Sequence, residues 1–226
     1  MKRLKTFLII FLCTIGFGSM VASAAEQSPF GEELAAIRHE FDAASFSGLK
    51  KSERKAAFEA LVEHADDFSA RYSDQVEAVG WNGIVLSAYA GEVGAFGAMK
   101  VAKSALEALE QAEAIQANAL DGGVYASLGA LYSKVPGGFV GFGDDEVARA
   151  YFEKALDVDA DNIDSNFFYG EFLIDQGEYE QAVAVLQRAL AAPKVDDRPL
   201  FDSGRRAAIR EMLDEAKDHI PQTAAR

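Results

Sequence analysis

Two stretches of the chain carry the same pattern of apolar positions. In "EVARAYFEKALDVDADN", Ala148, Phe152, Ala155 and Leu156 stand at i, i+4, i+7 and i+8, which is one face of a helix. In "EQAVAVLQRALAAPKVD", Ala182, Leu186, Ala189 and Leu190 repeat that face, each at the same offset from its counterpart. Small residues at two of the four positions let a neighbouring helix approach, and the large ones fill the space beside it. A second, glycine-marked helix precedes each copy. "YASLGALYSK" contributes Leu128, Gly129 and Tyr132, and "FFYGEFLIDQGEYEQA" contributes Tyr169, Gly170 and Leu173. Gly177 is placed for the turn between the helices, where a left-handed backbone is accessible to glycine. No trustworthy two-residue alternation marks a strand.

A helical hairpin with a period of about 34 residues, and with a glycine under its partner helix, resembles the tetratricopeptide family. The clearest copies are residues 122–160 and 163–194. Upstream, "VGWNGIVLSAYA" reads as a first helix with Gly83 in the role of Gly129, and "GAMKVAKSALEALEQAEAIQ" as its second helix. Gly83 and Gly129 stand farther apart than one period, which requires extra length in the helices or the turn. "GEELAAIRHEFDAASF" and "ERKAAFEALVEHADDFSARY" add two more helices, and "FDSGRRAAIREMLDEAKDHI" adds a capping helix, residues 203–219, opened by Asp202 or Ser203. The expected fold is all-α, a tetratricopeptide-like solenoid of about nine helices spanning residues 25–226.

The glycine-rich "VPGGFVGFGDD" is the one stretch that suggests other chemistry. Gly129 stands farther ahead of Ala148 than Gly170 does of Ala182, so this stretch is an insertion within a hairpin turn. A phosphate loop would need a preceding strand and a following Lys-Ser/Thr; instead Asp144 and Asp145 stand where an anion would bind. Those acids suit the N-terminus of the next helix.

Residues 1–24 read as a secretory leader rather than fold. Lys2, Arg3 and Lys5 precede the apolar "FLIIFLCTI", and "VASAA" supplies small residues for cleavage near Ala24. The alternative is an uncleaved anchor, since Thr6 to Ala25 carries no charge. Leu12 stands where a lipoprotein signal requires Gly, Ala or Ser before Cys13, so lipidation there is not expected. Cys13 is the only cysteine, and removal of the leader leaves no disulfide or thiolate chemistry. The chain has 36 acidic against 22 basic residues, and the leader takes three of the basic ones, which leaves a body at −17. Such a body repels nucleic acid and anionic lipid. The location expected is the periplasm.

The order "LGALYSKVPGGFVGFGDDEVARAYFEKAL", "NIDSNFFYGEFL", "RPLFDSGRRAAIREML" resembles the exported T component associated with TRAP-type solute transporters. The resemblance covers roughly residues 79–217. It implies a helical scaffold that works with a periplasmic solute-binding protein rather than a catalyst, and a capacity to form homo-oligomers such as ring-like trimers. Members are often lipoproteins, and the missing lipobox is where this chain departs.

No assembled catalytic set is present. His39, His64 and His219 are the only histidines and none stands in a metal-binding pair; "EHADD" brings Glu63, His64 and Asp67 near one another on a helix, which reads as a solvated face. Asp157, Asp159 and Asp161 imitate the start of a calcium loop, but its sixth-place Gly and twelfth-place Glu are missing. Neither a cofactor nor a metal is expected, and the protein is read as a non-enzyme. In a tetratricopeptide hairpin the first helix lines the groove. The partner or ligand groove is therefore assigned to Ile84 and Ser87; Ala126, Ala130 and Ser133; and Asp164, Phe167, Glu171 and Ile174. Its small side chains leave room for a peptide, a partner helix, a small apolar ligand or a neighbouring helix of the chain itself. Arg198, Arg205, Arg206 and Arg210 form the local basic cluster, read as pairing with Asp196, Asp197 and Asp202 or as docking an acidic partner.

Overall fold

The computed structural model describes residues 28–220, without the side chains of residues 95 and 96. The proposed leader lies outside the described residues. Nine α-helices follow one another among them: α1 (Pro29–Phe46), α2 (Lys51–Arg71), α3 (Val76–Glu92), α4 (Ala95–Ile115), α5 (Gly123–Lys134), α6 (Asp145–Val158), α7 (Ile163–Asp175), α8 (Tyr179–Ala191) and α9 (Pro199–His219). A single 3-10 turn, Leu120–Gly122, precedes α5. No strand occurs among the described residues; one isolated bridge joins Gly137 to Gly143.

The boundaries follow local chemistry. Asp144 caps α6, its carboxylate accepting from the amides of Glu146 and Val147 at 2.9 and 3.0 Å. Asn162 does the same for α7, accepting from Asp164 and Ser165 at 3.0 Å each. Gly177 turns α7 into α8 with φ +74°. The long interval of the early repeat resides in its helices, 17 residues in α3 and 21 in α4 against 13 each in α7 and α8. The capping helix starts earlier than expected. Pro199, with φ already fixed and no amide to satisfy, takes its first turn, and Asp202 lies inside that turn rather than before it.

Helices pack as hairpins, and three of the hairpins do so through a glycine. A Cβ on Gly83 would meet Leu109 at 2.6 Å, one on Gly129 the Phe152 ring at 2.8 Å, and one on Gly170 Leu186 at 2.5 Å. The odd-numbered helices also pack on one another in sequence, α1 on α3, α3 on α5, α5 on α7 and α7 on α9. Helix α9 then returns to α1, so these five close a circuit. Each even-numbered helix packs against the two odd-numbered helices that flank it in the chain. Four apolar clusters fill the space between; Phe68, Leu109, Phe152 and Leu186 are among the fully buried side chains.

The hairpin contact makes a stability prediction. Gly129→Ala should lower unfolding free energy by about 1–3 kcal/mol, because the rigid Phe152 ring must move. Gly91→Ala, with nothing within 4 Å of the new methyl, should raise it by up to about 1 kcal/mol through helix propensity. Urea unfolding followed by circular dichroism measures both.

Candidate functional site

The side of the solenoid formed by α7 and α9 is where the groove assignment and the basic cluster meet. Asp164 and Phe167 lie one turn apart on α7. Arg205 of α9 places Nε 2.7 Å from the Asp164 carboxylate and its guanidinium 3.9 Å from the centre of the Phe167 ring. Phe168, Phe46 and Phe201 surround the same guanidinium at 5.1, 5.5 and 5.8 Å. A planar, weakly hydrated cation suits such a ring of aromatic faces better than an ammonium would.

Helix α1 covers the neighbouring part of this side. Arg38, Asp42 and Phe46 stand four residues apart and so share one stripe. Arg38 pairs with Asp197 at 3.4 Å. Asp42 grips Arg198 with both oxygens, accepting from Nε at 3.0 Å, and both side chains are buried, at 2% and 8% residual exposure. Arg198 is also stacked on Phe201 at 4.2 Å and faces Trp81 of α3 at 5.3 Å. Phe46 meets Phe201 edge-on at 5.9 Å, and its ring lies where a Cβ on Gly204 would project. Gly204 follows Gly170 at the same offset by which Ala182 follows Ala148. Helix α9 therefore stands in the position of another repeat's first helix, and Phe46, from the opposite end of the chain, takes the place of Leu186 or Phe152.

The remaining assigned residues are placed otherwise. Ile84 packs between the cluster around Leu109 and the cluster around Phe68, Ala126 is buried, and Ala130 and Ile174 pack on the cluster around Phe172. Ser87 and Ser133 donate to carbonyls of their own helices, Gly83 and Ala130, at 2.8 and 2.9 Å. Glu171 and Asp175 share Lys134 of α5 at 3.0 and 2.7 Å. Burial opposes the charge of Lys134, but the two carboxylates outweigh it and hold its pKa above the ordinary value. Arg206 takes Asp202 at 3.0 Å and the carbonyls of Leu190, Ala192 and Pro193, which fixes the turn from α8 into α9; Arg210 is exposed. The structure thus joins Asp164, Phe167, Arg198 and Arg205 with α1, leaves Ile84, Ala126, Ala130 and Ile174 in helix packing, ties Ser87, Ser133, Glu171 and Arg206 to other partners, and leaves Arg210 exposed. Asp42, Phe46 and Gly204 were missed by reading the sequence, although the Gly170–Gly204 spacing and the four-residue stripe were visible signals.

The hairpins α5–α6 and α7–α8 share a glycine contact, and α6 and α8 repeat the same apolar face. Residues 142–199 match the tetratricopeptide repeat model. The matched tetratricopeptide segment runs from the end of the glycine-rich turn through α6, α7 and α8 to the start of α9. No curated protein matches the chain. Within the tetratricopeptide segment a notch of about 350 Å³ opens between α6 and α7, lined by Asp145, Glu146, Arg149, Glu153, Phe172 and Gln176. Arg149 is fixed there by Glu178 and lies 5.0 Å from the centre of the Phe172 ring.

His64 clasps α2 to α1 rather than joining Glu63 and Asp67. Its Nδ1 is 3.0 Å from Glu40 and its Nε2 3.3 Å from Glu33, so both ring nitrogens donate only in the imidazolium form. Burial opposes that charge, but Glu40 and Glu33 outweigh it and raise the pKa above 6.5; hydrogen bonding by Arg71, with a smaller contribution from His64, lowers that of Glu33 below 4.5. A raised histidine stabilises fully below its unfolded value and loses that contribution as pH rises through the folded one. A lowered carboxylate stabilises above its unfolded value and loses that as pH falls. The clasp should be strongest between about pH 4.5 and 6.5. Tm should fall from pH 6 to 8.5, and less steeply in His64→Gln.

The α1–α9 contact predicts a second mutational pattern. Asp42→Ala leaves Arg198 buried and uncompensated and should cost about 3–5 kcal/mol, whereas Asp42→Leu combined with Arg198→Met should recover much of that loss. Denaturant titration of the three proteins distinguishes them.

Proposed function

We propose that the protein is an exported, periplasmic protein–protein interaction scaffold that serves a TRAP-type solute uptake system through a solute-binding protein. The observation that carries the scaffold part is the tetratricopeptide match over α6–α8, a repeat type that generally mediates protein–protein contact. Support for export comes from the basic start, apolar core and small-residue site of residues 1–24, and support for the transporter comes from the ordered motifs of residues 79–217. The chain acts by binding rather than by catalysis.

The closed side narrows where a partner docks. At α7 and α9 the inward positions are occupied by Arg205, Arg198, Phe46 and Phe201, so a peptide laid there would have to displace an internal ion pair and its aromatic packing. The outward notch between α6 and α7 and the turn before α6 need no such displacement.

Purification of the protein from the periplasm of its own cells after mild crosslinking, with proteins and small molecules both identified, tests the reading. A TRAP solute-binding protein should be enriched, and deletion of the gene should slow uptake of its solute. Retention in the cytoplasm, or recovery of no specific protein, would overturn it; a co-purified apolar molecule in place of a protein would favour the ligand-carrier alternative.

A further inference from the structure

The turn between α5 and α6 is built to hold an apolar tip in solvent. Its two legs are anchored. Val135 and Phe142 pack on the apolar cluster around Leu109 and Leu128, and Phe142 meets Tyr132 edge-on at 5.6 Å. The amide of Gly143 donates to Pro136 at 3.1 Å and that of Asp144 to Tyr132 at 3.0 Å. The glycines permit this closeness: a Cβ on Gly137 would lie 2.6 Å from the Gly143 carbonyl oxygen, and one on Gly141 2.5 Å from that of Pro136. Gly138, at φ +69°, turns the chain over. Between these fixed legs stand Phe139 and Val140, with relative exposures of 112% and 71%.

An isolated exposed apolar side chain needs no explanation. Here, however, two adjacent ones occupy an insertion that lengthens this hairpin beyond its repeat, and the insertion's own glycines are used to shape it. A loop fixed in this way loses little further freedom on docking. Its surroundings are acidic. Asp144, Asp145 and Glu146 follow it directly and are exposed, and the ammonium of Lys134 is shared between Glu171 and Asp175. At the root of the turn burial raises the pKa of Tyr132, and Glu110, Glu113 and Asp144 raise it further. The notch between α6 and α7 begins at Asp145 and so continues this acidic surface.

We infer that Phe139 and Val140 are the docking anchor of the protein, entering an apolar socket on a partner protein whose rim carries Lys or Arg side chains. The rim settles over Asp144, Asp145 and Glu146 and reaches the notch. This rests on the scaffold reading and names its surface. An anionic membrane is disfavoured by the same carboxylates, and a second copy of this acidic chain is disfavoured by its charge.

The test replaces Val140 with the photo-crosslinking residue p-benzoylphenylalanine in the full-length protein in its own cells, and in a second strain replaces Ala150, exposed beside the notch. The expected result is one protein adduct from position 140, mapping by mass spectrometry to apolar residues bordered by Lys or Arg. With that purified partner, Phe139→Ser should weaken binding about tenfold or more, and binding of the unaltered protein should weaken with added salt. Helicity and Tm of Phe139→Ser should be unchanged, since the ring touches nothing it stabilises. The inference is overturned by adducts to lipid or to a second copy, by a crosslinked site without basic residues, or by an affinity change below twofold. An adduct from position 150 but none from 140 removes the anchor and leaves the scaffold; none from either removes both.

Discussion

A glycine on one helix admitting a large side chain of the next is the contact on which this architecture depends. Without a Cβ at Gly83, Gly129 or Gly170, the backbone itself becomes the floor on which Leu109, Phe152 or Leu186 rests. The cost is modest, about 1 kcal/mol of helix propensity at each glycine. The return is close approach of two helices along their length and full burial of a leucine or phenylalanine, worth about 1.5–3 kcal/mol apiece. Because the same contact recurs through the chain, each hairpin presents the next with a similar surface, and stacking follows.

Gly204 extends that rule beyond the chain's own succession. A solenoid ordinarily couples only nearest neighbours, so its terminal repeats are the first to fray. Here the terminal α9 finds Phe46 of α1 where its own second helix would lie, and a contact 156 residues apart in sequence, Asp42 to Arg198, accompanies it. The apolar part, half-burial of Phe46 against Phe201 and Gly204, supplies on the order of 1–2 kcal/mol. The buried ion pair adds little net stability against an apolar replacement, but losing one partner is costly. Apolar contact therefore holds the ends together, and the ion pair fixes which register they take. Fraying at either end must break both, which couples the first and last helices into one opening event.

Much of the fold was legible because repetition amplifies weak signals. One helix with Ala148, Phe152 and Ala155 says little, while the same face at Ala182, Leu186 and Ala189 gives a period, and the period gives the hairpin. Cap chemistry was legible in part, since Asp144, one of the two acids expected at the start of α6, binds amides two and three residues away, while Asn162 does the same unannounced for α7. The site was less so. Asp164, Phe167 and Arg205 could each be placed on a helix, but whether α9 folds back over α7 depends on the turn held by Arg206 and on α1 arriving from the far end. Neither leaves a local pattern. The groove assignment assumed an open solenoid, in which inward positions wait for a guest; here two arginines of the docking cluster, Arg198 and Arg205, are committed to Asp42 and Asp164 instead.

That closure bears on where recognition evolves in such a molecule. With its inward positions committed to holding the ends, the solenoid has exposed notches between hairpins and the turns that join them. Turns within a repeat are normally short, because their length is set by the need to return one helix onto the other. Extra residues there contribute nothing to stacking, so they are free to take shapes the repeat does not require. The turn before α6 uses that freedom in a specific way: its legs are tied into the core by Val135 and Phe142, its base is narrowed by Gly137 and Gly143, and what remains is lifted clear of the surface. A loop that merely tolerated the added length would turn Phe139 inward or dispense with it, since an apolar ring left in water forfeits the burial that stabilises the large apolar side chains of the core.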